Sequence, residues 1–131
     1  MDHETEQSPE FVNGLKTRRE VLGSEYVDKS IQGANDFTRP LQELVTTNCW
    51  NDIWNRPGLD RRSRSILNLG MIAALNRPHE LKLHLRGALN NGLSVEEIQE
   101  ILLQVSAYCG VPAAIDAFRV AGEVLKEEGL I

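Results

Sequence analysis

Cysteine is scarce in this chain: two in 131 residues. Cys49 and Cys109 form no C-x-x-C pair, so neither a redox dithiol nor a zinc knuckle can be read from them. Both are expected to be reduced, as in a cytosolic protein. No apolar run approaches the roughly 18 residues that span a bilayer. Residues 1–9 carry Asp2, Glu4 and Glu6 where a secretion signal would have a basic and then an apolar region. These absences lead to the expectation of a soluble cytoplasmic protein with no membrane partner. Positive charge is also short: 14 Lys and Arg stand against 19 Asp and Glu, a net charge of −5. Nucleic-acid binders advertise a basic face, so no nucleic-acid partner is expected. Glycine-rich phosphate loops, nucleophile elbows and nucleotide fingerprints are missing, so no cofactor of those kinds is indicated. Strand-like alternation, internal repeats and low-complexity tracts are missing too.

What remains is helix. Hydrophobic residues make up 41% and charged residues 25%, near the globular average, and the length fits one domain. Residues 1–8 are expected to be a disordered tail and 9–131 a single all-α domain of about six or seven helices. The pattern predicts Glu10 to Leu22, ending at Gly23, and a short helix Glu25 to Gln32 capped by Ser24 and stopped near Gly33. Pro40 sets up a third helix from Leu41 to about Trp54, followed by a turn at Arg56-Pro57-Gly58. Asp60 caps Arg61 to Leu75, and Pro78 opens a helix that closes at Asn91-Gly92. Ser94 and Glu97 make a capping box for a helix with Val95, Ile98, Ile101, Leu102, Val105 and Tyr108 at helical spacing. Gly110 breaks it, and Pro112 starts an alanine-rich helix ending near Glu128.

The helix after Asp60 is apolar nearly all round in its last three turns, which predicts burial on most sides. In a chain this short, subunits covering one another would supply that burial, so a homo-oligomer is expected. Its polar stripe is Arg61, Arg64, Ser65 and Asn68. The arginines there read either as surface ion pairs or as a pocket wall gripping a carboxylate. The helix dipole disfavours cations in a first turn, and repeating that cost favours the second reading mildly.

His79-Glu80-Leu81-Lys82-Leu83-His84 nearly imitates a metal site and fails. A zinc-protease helix needs histidines at i and i+4, whereas these lie at i and i+5, about 140° apart. Glu80 and His84, four apart, share a face and form a carboxylate–imidazole pair suited to proton transfer. Leu81, Leu85, Ala88 and Leu89 mark the core face beside them, placing His84 at the boundary where its pKa can be tuned. His79 reads as exposed, and His3 falls in the tail. Trp50 and Trp54, one turn apart, read as core or interface anchors or as a platform. Tyr108 needs a hydroxyl partner if buried and could be a site donor.

In order and spacing these segments resemble the gamma-carboxymuconolactone decarboxylase family of the beta-ketoadipate pathway. The segments are Gly14 to Gly23, Trp50 to Asp60, Arg61-Arg62-Ser63-Arg64-Ser65, Glu80-Leu81-x-x-His84, Asn91-Gly92-Leu93-Ser94 and Tyr108 to Ala114. The resemblance implies the alkylhydroperoxidase-D-like helical bundle and a hexamer or trimer. Redox members of that superfamily place a C-x-x-C before the histidine matching His84; here Arg77 and Glu80 stand at those cysteine positions, which fits the decarboxylase branch.

The resemblance also implies a lyase acting on a dicarboxylate lactone, gamma-carboxymuconolactone, to give beta-ketoadipate enol-lactone. Loss of CO₂ leaves an electron pair that the substrate's own lactone carbonyl accepts, so no metal or organic cofactor is required. On that reading His84 donates the proton, Glu80 orients or charges it, and Tyr108 supports the lactone oxygen. Arg56, Arg61 and Arg64 bind the acetate arm, with Trp54 a further substrate contact. The alternatives are a related peroxidase-type enzyme using Cys109 singly, and a non-catalytic helical oligomer that binds a small organic acid.

Overall fold

The structure, a computed structural model, describes residues 7–131. His3 and most of the expected tail lie outside the described residues; Gln7 and Ser8 lie within them. Seven α-helices and one π-helix make up the described chain, with no strand among the described residues. They form two compact units, the first ending at Leu59 and the second Asp60–Ile131.

In the first unit α1 (Pro9–Leu22) opens on Ser8, whose Oγ accepts the Phe11 N–H at 3.1 Å, with Pro9 in the first turn. Gly23, at φ 94°, ends α1 and also precedes α2 (Ser24–Gln32). Ser24 is therefore the first helical residue rather than the cap, and no side chain caps α2. α3 (Arg39–Leu44) runs straight into a π-helix, Val45–Ile53. This corrects the single α-helix expected from Leu41 to Trp54. The wider i→i+5 ladder is rare and leaves no signature in apolar spacing.

Two side-chain bonds align α1 with the π-helix: Asn13 Nδ2 donates to Asn51 Oδ1 at 2.7 Å and Thr17 Oγ1 to Asn55 Oδ1 at 2.9 Å. They tie one side of α1 to the C-terminal part of the π-helix and the turn just beyond it. Gly14 lets them touch, since a Cβ built there would lie 2.1 Å from the Thr46 carbonyl oxygen. Arg18 is 6% exposed and donates through Nη1 to Gln42 Oε1 at 2.9 Å and Thr46 Oγ1 at 3.3 Å. Trp50 and Trp54 stack with ring centroids 4.9 Å apart and join Val21 in an apolar cluster.

In the second unit Asp60 caps α4 (Arg61–Ala74), its Oδ1 accepting the Ser63 N–H at 2.7 Å. A short turn with Asn76 in the left-handed region (φ 55°), which asparagine tolerates, reverses the chain into α5 (Pro78–Asn90). The Ser94–Glu97 capping box is fully formed at α6 (Val95–Cys109), and Gly110 at φ 97° separates it from α7 (Val111–Glu127). Leu69, Leu81, Leu85, Ile98, Leu102 and Val124 make the centre of the core, and Ala88, Ala117 and Ala121 allow the helices to approach closely. Lys82 and Arg86 pair with Glu127 and Glu128 between α5 and α7, exposed bonds that add little each.

The burial pattern bears on two of the sequence expectations. Only Ser65, Leu69 and Ala73 of α4 are buried, while Ile66, Leu67, Met71 and Leu75 are exposed. The helix expected to be covered on most sides is thus bare on one face of the chain. Tyr108, which ends the α6 stripe and would need a hydroxyl partner if buried, is 82% exposed, because burial on that helix stops at Val105.

Candidate functional site

The second unit gathers most of the chemistry the sequence singles out. Its α5 carries Leu81, Leu85 and Ala88 on the buried face. That leaves His84 half-buried at the margin and Glu80 one turn earlier, exposed. Burial pushes the His84 pKa below its ordinary 6.5, and the Glu80 carboxylate pulls it partly back. The two groups therefore sense each other, as the i, i+4 spacing predicts. His79 is exposed. No group of three His, Cys, Asp or Glu among the described residues could hold a metal ion.

The arginines divide by environment. Arg62 pairs with Glu97 of the α6 capping box, which raises the guanidinium further and holds the Glu97 carboxyl below its usual range. This strut offsets one of the three cations at the α4 N-terminus. Arg61 and Arg64 are half-buried, and the Nε of Arg64 is withdrawn from solvent. Between them and α5 lies a bond absent from the sequence reading: Asn91 Nδ2 donates to Ser65 Oγ at 2.9 Å, and also to the Arg61 carbonyl at 3.4 Å. Ser65 is 1% exposed, so this bond pins the antiparallel register of α4 and α5 inside the unit. Asn68, next on the same stripe, is half-buried as well.

Two further expected residues belong to the first unit. Arg56 is exposed just beyond the π-helix of the first unit. Trp54 is 4% exposed, stacked on Trp50 and bonded to the Cys49 side chain, so its surface is spent on packing. Burial raises the Cys49 pKa, the reverse of what a reactive thiol needs, with Arg18 and Trp54 only partly compensating. The buried Arg18 escaped the sequence reading; its position on the inner face of α1 is the only local signal.

The Carboxymuconolactone decarboxylase family matches residues 39–123, which is most of the chain and includes the whole arginine and histidine set from Arg56 to His84. A nitrosuccinic acid decarboxylase of Metarhizium robertsii is 47% identical over 117 residues, 89% of this chain and 82% of its own. The 4-carboxymuconolactone decarboxylase of Acinetobacter baylyi is 39% identical over 120 residues, 92% of this chain and 90% of its own. An uncharacterised 15.0 kDa protein of Paracoccus denitrificans is 38% identical over 100 residues. The match along most of the chain, on an all-helical scaffold, makes this protein an enzyme, a carboxy-lyase belonging to the carboxymuconolactone decarboxylase family.

Proposed function

We propose that this enzyme decarboxylates, without a cofactor, a succinate-like dianion whose own skeleton accepts the electron pair left by CO₂. The observation that carries the reading is the half-buried His84 with Glu80 one helical turn before it. Gamma-carboxymuconolactone, giving beta-ketoadipate enol-lactone, is the first substrate. Its reacting carbon bears both the leaving carboxylate and an acetate arm, and the ring double bond relays the electron pair to the lactone carbonyl. The 47% identity to a nitrosuccinic acid decarboxylase favours a second: in nitrosuccinate the reacting carbon again bears a carboxylate and an acetate arm, and the nitro group accepts the pair as a nitronate. Both need the same services, namely an anchored second carboxylate, support for negative charge on oxygen, and a proton delivered to carbon.

Arg61 and Arg64 suit the anchored carboxylate, because guanidinium groups grip carboxylates bidentately. The leaving carboxylate belongs against apolar surface, since a cation gripping it would stabilise the ground state. His84 supplies the proton. Burial keeps it largely neutral at pH 7 in the free enzyme, but a bound dianion favours the imidazolium and loads the donor when it is needed. Tyr108 takes part only where substrate or a neighbouring subunit covers it. The test is CO₂ release from each compound in turn, with loss of lactone absorbance as the second readout. Turnover of one or both, unchanged by EDTA, supports the reading; release from neither removes it.

A homo-oligomer in the cytoplasm goes with this reading. The exposed Leu67, Met71 and Leu75, four residues apart along one side of α4, form an apolar face of the kind that marks an interface, and a second copy is its natural cover. Leu67→Asp together with Met71→Lys is expected to lower the mass measured by light scattering to that of a single chain; an unchanged mass would place any interface elsewhere.

A further inference from the structure

The proposed reaction needs a hydrogen-bond donor at the oxygen that takes up charge, and Tyr108, the residue expected there, is 82% exposed. Another amide lies on the α4 stripe that the Ser65–Asn91 bond holds against α5. That bond sets which residues of the antiparallel helices α4 and α5 are level. Asn68 lies three residues beyond Ser65 toward the turn that joins them, a rise of about 4.5 Å, and His84 lies seven residues from Asn91 toward the same turn, about 10.5 Å. Along the helix axes the two side chains therefore begin about 6 Å apart. Their directions follow from the same bond. At about 100° per residue His84 projects within roughly 20° of Asn91, whose amide reaches α4, and Asn68 within roughly 60° of Ser65, whose hydroxyl receives it.

Asn68 is half-buried, and its side chain makes no hydrogen bond among the described residues. Its amide still reaches solvent, so both donors are free to meet a bound molecule. One turn away on α4 stand Arg64 and Ser65 on one side and the exposed Met71 and partly buried Ile72 on the other. From the register and that unspent amide we infer that Asn68 is a catalytic residue, donating its Nδ2–H groups to the substrate oxygen that becomes negative as CO₂ leaves. For the lactone this is the carbonyl oxygen; for nitrosuccinate it is a nitro oxygen. The carbon that receives the proton then falls between Asn68 and His84. The inference rests on the decarboxylation proposed above.

Asn68→Leu keeps the volume and removes the donors. It is expected to lower kcat by about 10²–10³-fold, the usual loss on deleting one oxyanion donor. Its melting temperature should hold, because the amide makes no hydrogen bond among the described residues. Asn68→Asp, which keeps the shape but replaces donors by a charge facing an anion, is expected to lose at least as much. A kcat within threefold of the parent, or a loss of activity matched by a fall in melting temperature, overturns the inference while leaving the functional reading in place. A parent that releases CO₂ from neither compound removes both.

Discussion

Replacing His84 by alanine is expected to lower kcat by about 10²–10⁴-fold, the range that a positioned proton donor contributes. Binding of an unreactive dicarboxylate such as succinate, measured by calorimetry, should stay within about threefold, because in this account the anchoring charge comes from arginine and not from the imidazole. The half-buried position of His84 also makes the stability consequence calculable in sign. Its pKa in the folded enzyme is depressed below 6.5, so between 6.5 and that lower value the unfolded chain binds the proton more readily. Stability therefore falls as pH drops through this window, and it is restored as pH rises above 6.5. His84→Ala should flatten that part of the stability curve while abolishing turnover. A variant with near-parent kcat would leave Glu80 and His84 as a structural pair.

The second large effect is on the fold. Gly14→Ala places a methyl group 2.1 Å from the Thr46 carbonyl oxygen, 3.0 Å from its carbon and 3.1 Å from Asn51 Cβ. Two of those atoms belong to the backbone of the π-helix, which cannot swing aside as a side chain would. The two helices must separate, weakening the Asn13–Asn51 and Thr17–Asn55 bonds and the cover over Arg18. A cost of about 3 kcal/mol, at the upper end of ordinary overpacking, is expected. In a chain of this size that is roughly a 10 °C fall in melting temperature. Alanine is otherwise the better helix former by about 1 kcal/mol, so a stabilised Gly14→Ala would refute the close approach.

What was legible in the sequence is what depends on near neighbours. Asp60 and Ser94 cap helices because an oxygen-bearing side chain can reach an N–H three residues on, and the spacing to Ser63 and Glu97 is visible without a fold. The Glu80–His84 pair is legible for the same reason, being one helical turn long. Burial along α5 followed directly from Leu81, Leu85 and Ala88. The hidden features all join distant positions. Nothing near Gly14 announces that Thr46 will lie against it, and nothing near Ser65 announces Asn91. The π-helix at Val45–Ile53 differs from an α-helix by one residue per hydrogen bond, a difference that apolar periodicity does not record. Tyr108 shows the limit of periodicity itself: it continues the α6 spacing beyond the point where the neighbouring helices end their cover. For α4 the pattern correctly read a helix apolar on several faces, yet the chain alone covers only the Ser65, Leu69 and Ala73 face.

The claim that His84 hands the proton to carbon is tested most directly by the pH dependence of decarboxylation in the parent and in Glu80→Gln. A proton donor must be charged, so kcat/KM should fall as pH rises through the free-enzyme value, below 6.5. In the kcat profile that fall should move to higher pH, because the bound dianion favours the imidazolium. Removing the Glu80 charge, which raises the His84 pKa, should shift the kcat/KM limb to lower pH. A rate that is flat across this range, or a limb indifferent to Glu80→Gln, would contradict the account.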